Sequence, residues 1–220
     1  MKTKLIDLAQ EIREGQPVHG NHHKTYAFQN TTFEKTRRLC RVPFQSGNLL
    51  INEHRPTHVD AHAELVPHRK TIDQEPLERF YTSAACLDVS HLKPRSFMTK
   101  AILQEALNKS GLDIRKGDTV LLYTGTYDKN KDDPEAYLNE RPGLDREASL
   151  WLADIGVVVV GIDAASVDSP ADPNLSCHAV CREQTPRPES RSGISNEADT
   201  CRRETIASVP EHIENVFTML

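Results

Sequence analysis

Between residues 84 and 163, compact apolar runs alternate with segments whose apolar residues recur at helical spacing. The apolar runs predict buried strands at AACLDVS (84–90), GDTVLLYTG (117–125) and VVVVGID (157–163). Helical spacing predicts helices at TKAILQEALNKSG (99–111), capped by Thr99, and LDREASLWLADIG (144–156). Strand, helix and strand in this order predict parallel strands joined by crossovers.

The flanking segments carry weaker patterns. Strands are predicted at KLIDLA (4–9) and in a meander over YAFQNTTFEKTRRLCRVPF (26–44) and NLLINEH (48–54). The charged, proline-containing segment 127–143 predicts a surface loop, and from Arg182 onward apolar periodicity is almost absent. The pattern thus predicts one α/β domain over residues 1–181 and an atypical, poorly ordered tail over residues 182–220.

Composition narrows the range of partners. The 220 residues fit one large domain, and the formal charge of -5 provides no net-positive field for nucleic acid or an anionic membrane. No window approaches the roughly 20 apolar residues of a membrane span. The five cysteines are odd in number and scattered, which favours a reducing compartment over a disulfide framework. We therefore expect a cytoplasmic protein.

Candidate chemistry is concentrated in NEHRPTHVDAHAELVPH (52–68). On a β-strand, alternate side chains share a face, so the pattern predicts that His58, Asp60, His62 and Glu64 converge, with a bend bringing His54 round. Imidazole and carboxylate are ligands for Zn²⁺, Mn²⁺ or Fe²⁺, and such an ion activates water and polarises a carbonyl. The alternative is an exposed polar edge strand without an ion.

These residues resemble the cyclase family of metal-dependent hydrolases, which includes bacterial kynurenine formamidases and isatin hydrolases and carries the pattern HxGTHxDxPxH. The pattern stands here as HRPTHVDAHAE (54–64), with matches at His54, Thr57, His58 and Asp60. Further similar segments follow in the family's order over about residues 4–181. The resemblance implies an α/β domain with a mixed sheet or β-barrel-like core of the swivelling β/β/α type, assembled as a homodimer or homotetramer.

The resemblance also assigns roles. His54, His58 and Asp60 would hold a divalent ion, Zn or Mn, and His178 would bind a second ion or lie beside the site. Asp163, Ser166 and Asp168 in GIDAASVD (161–168) would shape the substrate pocket, although a turn at the end of a strand explains them equally well.

The sequence departs from the family pattern at three motif positions. Pro56 replaces the family's glycine, His62 its proline, and Glu64 its last motif histidine, the expected proton shuttle. Glu64 or His62 is therefore the predicted catalytic group for proton transfer. The segment after His178 also lacks the family's next apolar strand, so we hypothesise that the tail is read out of its ancestral frame.

The function implied is hydrolysis of a C–N bond in a small amide, with N-formylkynurenine, cleaved to kynurenine and formate, as the leading substrate. The alternatives are opening of a cyclic amide or lactone such as isatin, and a metal-binding protein with little or no catalysis. Tyr123 or Trp151 is a candidate aromatic contact to the substrate, although Trp151 at helical spacing is more typical of a core residue.

Overall fold

The structure is a computed structural model that describes residues 6–16, 18, 21–54, 56–184 and 218–219. The strands in these ranges are β1 (Tyr26–Thr31), β2 (Ser46–Leu50), β3 (His58–Val59), β4 (Ala84–Asp88), β5 (Phe97–Met98), β6 (Thr119–Tyr123), β7 (Gly143–Leu144), β8 (Val159–Ile162) and β9 (Thr218–Met219). The helices are α1 (Phe33–Arg37), α2 (His62–Leu65), α3 (Lys100–Ser110), α4 (Thr126–Asn130), α5 (Pro134–Asn139), α6 (Arg146–Ile155) and α7 (Ser176–Gln184). Two 3₁₀ helices, Ile72–Gln74 and Leu77–Phe80, lie between α2 and β4.

The main sheet has five strands in the order β3-β9-β8-β6-β4. Strands β4, β6 and β8 are parallel, as predicted, while β9 pairs antiparallel with β8 and parallel with β3. Strands β1 and β2 form a separate antiparallel hairpin, and β5 pairs with β7. The mixed α/β class is confirmed, and its core is an open sheet, without a closed barrel among the described strands.

The hydrophobic core lies around β4, β6 and β8. Leu87, Leu122 and Ile162 on these strands are fully buried, and α3 and α6 add Leu103 and Leu152. Full burial of an aliphatic side chain of this size contributes about 1.5–3 kcal/mol, so these elements form the stable part of the molecule.

Helix α3 begins and ends as predicted. The Thr99 side chain accepts a hydrogen bond from the Ile102 backbone N–H, and Gly111 ends the helix at a φ of 67°. This left-handed conformation favours glycine because it has no Cβ.

Three predictions about local structure are wrong. Residues 6–9 are irregular rather than a strand, residues 33–37 of the predicted meander form α1, and the expected loop over 127–143 contains helices α4 and α5. Helix α5 forms because the Asp133 carboxylate accepts from two backbone N–H groups and Pro134 occupies the first turn.

The predicted strand through Glu64 is also wrong. Strand β3 ends at Val59, and α2 begins at His62, where the Val66 N–H donates to the His62 carbonyl. Successive residues in a helix turn by about 100°, so His62 and Glu64 point in different directions instead of sharing one face.

The predicted tail lies mostly outside the described residues. Within it, α7 continues to Gln184 and Thr218–Met219 forms β9 between β3 and β8. Among the helices of the described part, none combines the length and the apolar character needed to cross a membrane.

Among the described glycines, Gly143 lies closest to the backbone of another segment, at Ser169. A Cβ there would lie 1.8 Å from the Ser169 backbone nitrogen, so we expect Gly143→Ala to lower the free energy of unfolding by about 3 kcal/mol or more. Gly47→Ala is the matched control, because its Cβ would meet the Phe28 carbonyl at 3.4 Å, and it should change stability by less than about 1 kcal/mol. Urea unfolding measures both, and equal effects of the two substitutions would contradict this account.

Candidate metal centre

Three side chains converge where β3 ends. Asp60 Oδ1 lies 2.9 Å from His54 Nδ1 and 3.4 Å from His58 Nε2. One ligand atom from each of the three lies within 4.8 Å of the others, and all three residues are half-buried. Two imidazoles and a carboxylate fit a divalent ion such as Zn²⁺ or Mn²⁺, because they offer nitrogen and oxygen ligands around one point.

Backbone contacts orient the two histidines. His58 Nδ1 lies 3.1 Å from the Pro56 carbonyl, so an Nδ1–H donor would leave Nε2 as the ligand atom. The His54 backbone N–H donates to Asn52 Oδ1 at 3.0 Å, which fixes the turn before the strand. Burial lowers the pKa of His58, but the hydrogen bond and charge of Asp60 outweigh it, so the net shift is upward.

Glu64 and His62 occupy different surroundings. Glu64 Oε1 lies 3.8 Å from His54 Nε2, whereas His62 Nδ1 lies 3.5 Å from Glu75 Oε1. Burial, helped by the charge of Asp60, raises the pKa of Glu64. Of the two predicted proton-transfer groups, the fold therefore brings Glu64 to the candidate centre.

His178 on α7 faces the same region. Its Nδ1 is hydrogen-bonded to Asp168 Oδ2, and its charge interacts with that of Glu64. Burial lowers the pKa of His178, but the Asp168 hydrogen bond and charge outweigh it and raise the pKa overall. A carboxylate on one ring nitrogen leaves the other nitrogen available as a ligand, which is the usual support of a metal-binding histidine.

The other predicted site residues form hydrogen bonds within the loops around the centre. Asp163 is fully buried, and its Oδ1 accepts hydrogen bonds from the backbone N–H and the hydroxyl of Thr124. Ser166 Oγ accepts from the Asp168 backbone N–H at 3.2 Å, which supports the loop that carries the partner of His178. Both contacts belong to turns at strand ends. They agree with the alternative that the sequence left open, in which these residues form a turn at the end of a strand.

The two candidate aromatic residues lie in structural positions. Trp151 packs against the hydrophobic core, and the Tyr123 hydroxyl donates to Asp128 Oδ2 at 3.1 Å. Burial and the Asp128 contact raise the pKa of Tyr123 to about 12.

A cavity of about 410 Å³ opens beside the candidate centre. Asp60, His62 and Glu64 line its polar end. The remaining wall is largely apolar and includes Leu65, Phe80, Leu152, Val157, Val159 and Val180. This volume and lining suit a small, partly apolar ligand.

Sequence reasoning missed two neighbours of the centre. The His22 ring stacks on His54 with centroids 5.2 Å apart, and Glu75, whose side chain is 6% exposed, lies between His62 and Arg79. The contacts of His22 with His54 and of Glu75 with His62 have no local signal, because each joins residues more than ten positions apart along the chain.

Comparisons with known proteins point to one family. A family model described as "Putative cyclase" matches residues 6–169. The kynurenine formamidase of Salinibacter ruber is 30% identical over 175 residues, which cover 79% of this chain and 75% of that protein.

Solved structures show the same fold. Isatin hydrolase A from Ralstonia solanacearum superposes with a TM-score of 0.70 at 20% identity, over 81% of this chain and 75% of that one. A predicted metal-dependent hydrolase from Bacillus stearothermophilus gives a TM-score of 0.61 at 23% identity, over 82% and 78%. At these identities the likeness is one of fold.

The buried Asp163 carboxyl should make the stability of the protein depend on pH. Burial raises its pKa from 3.8 to about 6 despite the Thr124 hydrogen bonds, so the folded protein holds this proton more tightly than the unfolded chain. Its contribution to stability is full below about pH 4 and is lost as the pH rises through about 6, by at most about 3 kcal/mol. Urea unfolding should show that Asp163→Asn gains stability relative to the natural protein between pH 4 and pH 7. A difference that stays constant across this range would contradict the assignment.

Proposed function

The chain belongs to the cyclase family, and from that premise we propose that it is an enzyme, a metal-dependent hydrolase that cleaves the C–N bond of a small amide. The observation that carries the proposal is the convergence of His54, His58 and Asp60 within 4.8 Å. These three residues would hold one divalent ion, Zn or Mn, and His178 would support it or bind a second. When bound, such an ion would activate water and polarise a carbonyl.

Glu64 is the proposed catalytic group for proton transfer. Its carboxylate lies 3.8 Å from His54 Nε2 and lines the cavity, so it reaches both the centre and a bound ligand. The raised pKa brings this carboxyl closer to the range in which an acid also serves as a base near neutral pH. His62 is the weaker candidate, because its ring nitrogen lies beside Glu75.

The cavity supports an aromatic amide as substrate. A substrate bound there would have its carbonyl near Asp60 and Glu64 at the polar end, and the apolar wall would bury an aryl ring. An arylformamide such as N-formylkynurenine is the leading substrate, in line with the kynurenine formamidase relative. Opening of a cyclic amide or lactone is the second candidate, favoured by the isatin hydrolase fold.

The third candidate is a metal-binding protein with little or no catalysis. It is favoured by the replacement of the family's shuttle histidine by Glu64 and of its glycine by Pro56. The two hydrolase candidates differ in substrate only, whereas this one differs in turnover, so combined metal and activity measurements separate all three.

We also propose that the protein is a homodimer or homotetramer. The β1–β2 hairpin exposes large apolar side chains: Tyr26, Phe28, Leu49 and Leu50 are each at least 50% exposed. Tyr26, Phe28 and Leu50 share one face of the hairpin. An exposed apolar face of this kind is typical of a surface that packs against another protein, and a second copy of the chain would cover it.

Metal content tests the ligand assignment. The purified protein should bind about one equivalent of Zn²⁺ or Mn²⁺, and His58→Ala should weaken binding by about 100-fold or more, because it removes a ligand. His62→Ala is the matched control and should keep the metal. Elemental analysis and metal titration measure both, and equal losses in the two variants would sink the assignment.

Activity on N-formylkynurenine and isatin identifies the reaction. We expect metal-dependent release of formate from N-formylkynurenine that exceeds hydrolysis of isatin. Greater hydrolysis of isatin would favour the second candidate, and metal binding without hydrolysis of either, or of a wider amide and lactone panel, would favour the third.

Glu64→Gln tests proton transfer. Replacing the carboxyl with an amide of the same shape should lower kcat by about 10²–10⁴ while metal content stays the same. His62→Gln provides the control at the same cavity and should change kcat far less. Unchanged turnover in Glu64→Gln, or an equal loss in His62→Gln, would refute this role for Glu64.

A further inference from the structure

Helix α7 carries two thiols on one face, one turn apart. Cys177 and Cys181 are four residues apart, a spacing that places side chains next to each other on a helix. Their sulfurs share a hydrogen bond, and both residues are thiols rather than disulfide partners. Cys177 is 3% exposed, while Cys181 is partly exposed.

The cavity beside the candidate centre borders both cysteines. Cys177 and Cys181 line it on the α7 side, next to Val180. Leu152 and Val157 are part of the apolar wall of the same cavity. A small apolar reagent that enters the cavity would therefore reach two neighbouring thiols while its apolar part remained shielded from water.

We propose that Cys177 and Cys181 form a dithiol site for a thiophilic centre that bridges both sulfurs, and that the fitting ligand class is a trivalent aryl arsenical. Each sulfur replaces one bond from arsenic to the oxide oxygen. The two thiol protons leave with that oxygen as one water molecule, and the arsenic remains trivalent. The aryl group lies in the apolar part of the cavity. This site goes beyond the proposed hydrolase function.

Helix geometry favours a bridging atom over a disulfide. Side chains at this spacing have Cβ atoms about 5–6 Å apart, whereas a disulfide requires about 3.5–4.5 Å. A bridging centre with bonds to sulfur of roughly 2.3 Å, as in zinc thiolates, holds the two sulfurs about 3.8 Å apart and leaves the helical turn in place.

The site is distinct from the candidate metal centre, although it lies close to it. His178 is on the same turn of α7, but its Nδ1 is bonded to Asp168. The Cys177 backbone N–H donates to the other oxygen of that carboxylate at 2.7 Å, so the backbone of this turn is already fixed before any ligand binds. The helical backbone that carries both thiols is thus ordered in advance, which lowers the entropic cost of bridging them.

Phenylarsine oxide is the probe for this site. The full-length protein should bind about one equivalent, which 2,3-dimercaptopropanol releases and the monothiol 2-mercaptoethanol does not. Tryptic peptide 147–182 contains these two cysteines and no other, so it should gain the mass of one phenylarsenic group less two hydrogens. Release by 2-mercaptoethanol, or the added mass on a different peptide, would overturn the proposal.

Cysteine variants provide the second test. Cys181→Ser and Cys181→Ala should each weaken binding by about 100-fold or more, because the second bond to arsenic is lost. Cys86→Ser and Cys201→Ser are the controls and should bind as the natural protein does. Unweakened binding in a folded Cys181 variant, or its loss in either control, would contradict the site.

Discussion

The Asp60 carboxylate lies between two imidazoles, 2.9 Å from His54 Nδ1 and 3.4 Å from His58 Nε2, and its side chain is 9% exposed. A carboxylate removed from water to this extent is costly without polar partners, so the two histidines and Asp60 must stay together. The turn at residues 52–54 and strand β3 hold His54 and His58, and the one-turn helix α2 brings Glu64 to this group. A divalent ion bound here would offset the negative charge of Asp60, which the two imidazoles already contact.

The rigid part of the molecule supports this centre from behind. Helix α6 and strand β8 lead to the loop that carries Asp168, and this carboxylate bonds both His178 and the Cys177 backbone N–H. The Arg141 guanidinium donates to the Asp168 backbone carbonyl at 3.1 Å. The core therefore determines the orientation of His178, while the short elements around residues 54–65 determine that of the three converging groups.

The sequence predicted the core elements well and the site only in part. Helices α3 and α6 and strands β4, β6 and β8 have long apolar patterns and clear caps, so local physics specifies them. The alternation after Val59 was misleading because a period of two continued by chance through a turn and into a helix. The pairing of His62 with Glu75, the stacking of His22 on His54 and the shared hydrogen bonds of Asp168 depend on tertiary packing, which no local pattern encodes.

The most direct test of the metal centre is anomalous diffraction at the zinc edge from crystals of the full-length protein grown with Zn²⁺. We expect one strong peak about 2.0–2.2 Å from a nitrogen of His54, a nitrogen of His58 and an oxygen of Asp60. A fully occupied zinc ion bound elsewhere, with none between these three side chains, would contradict it.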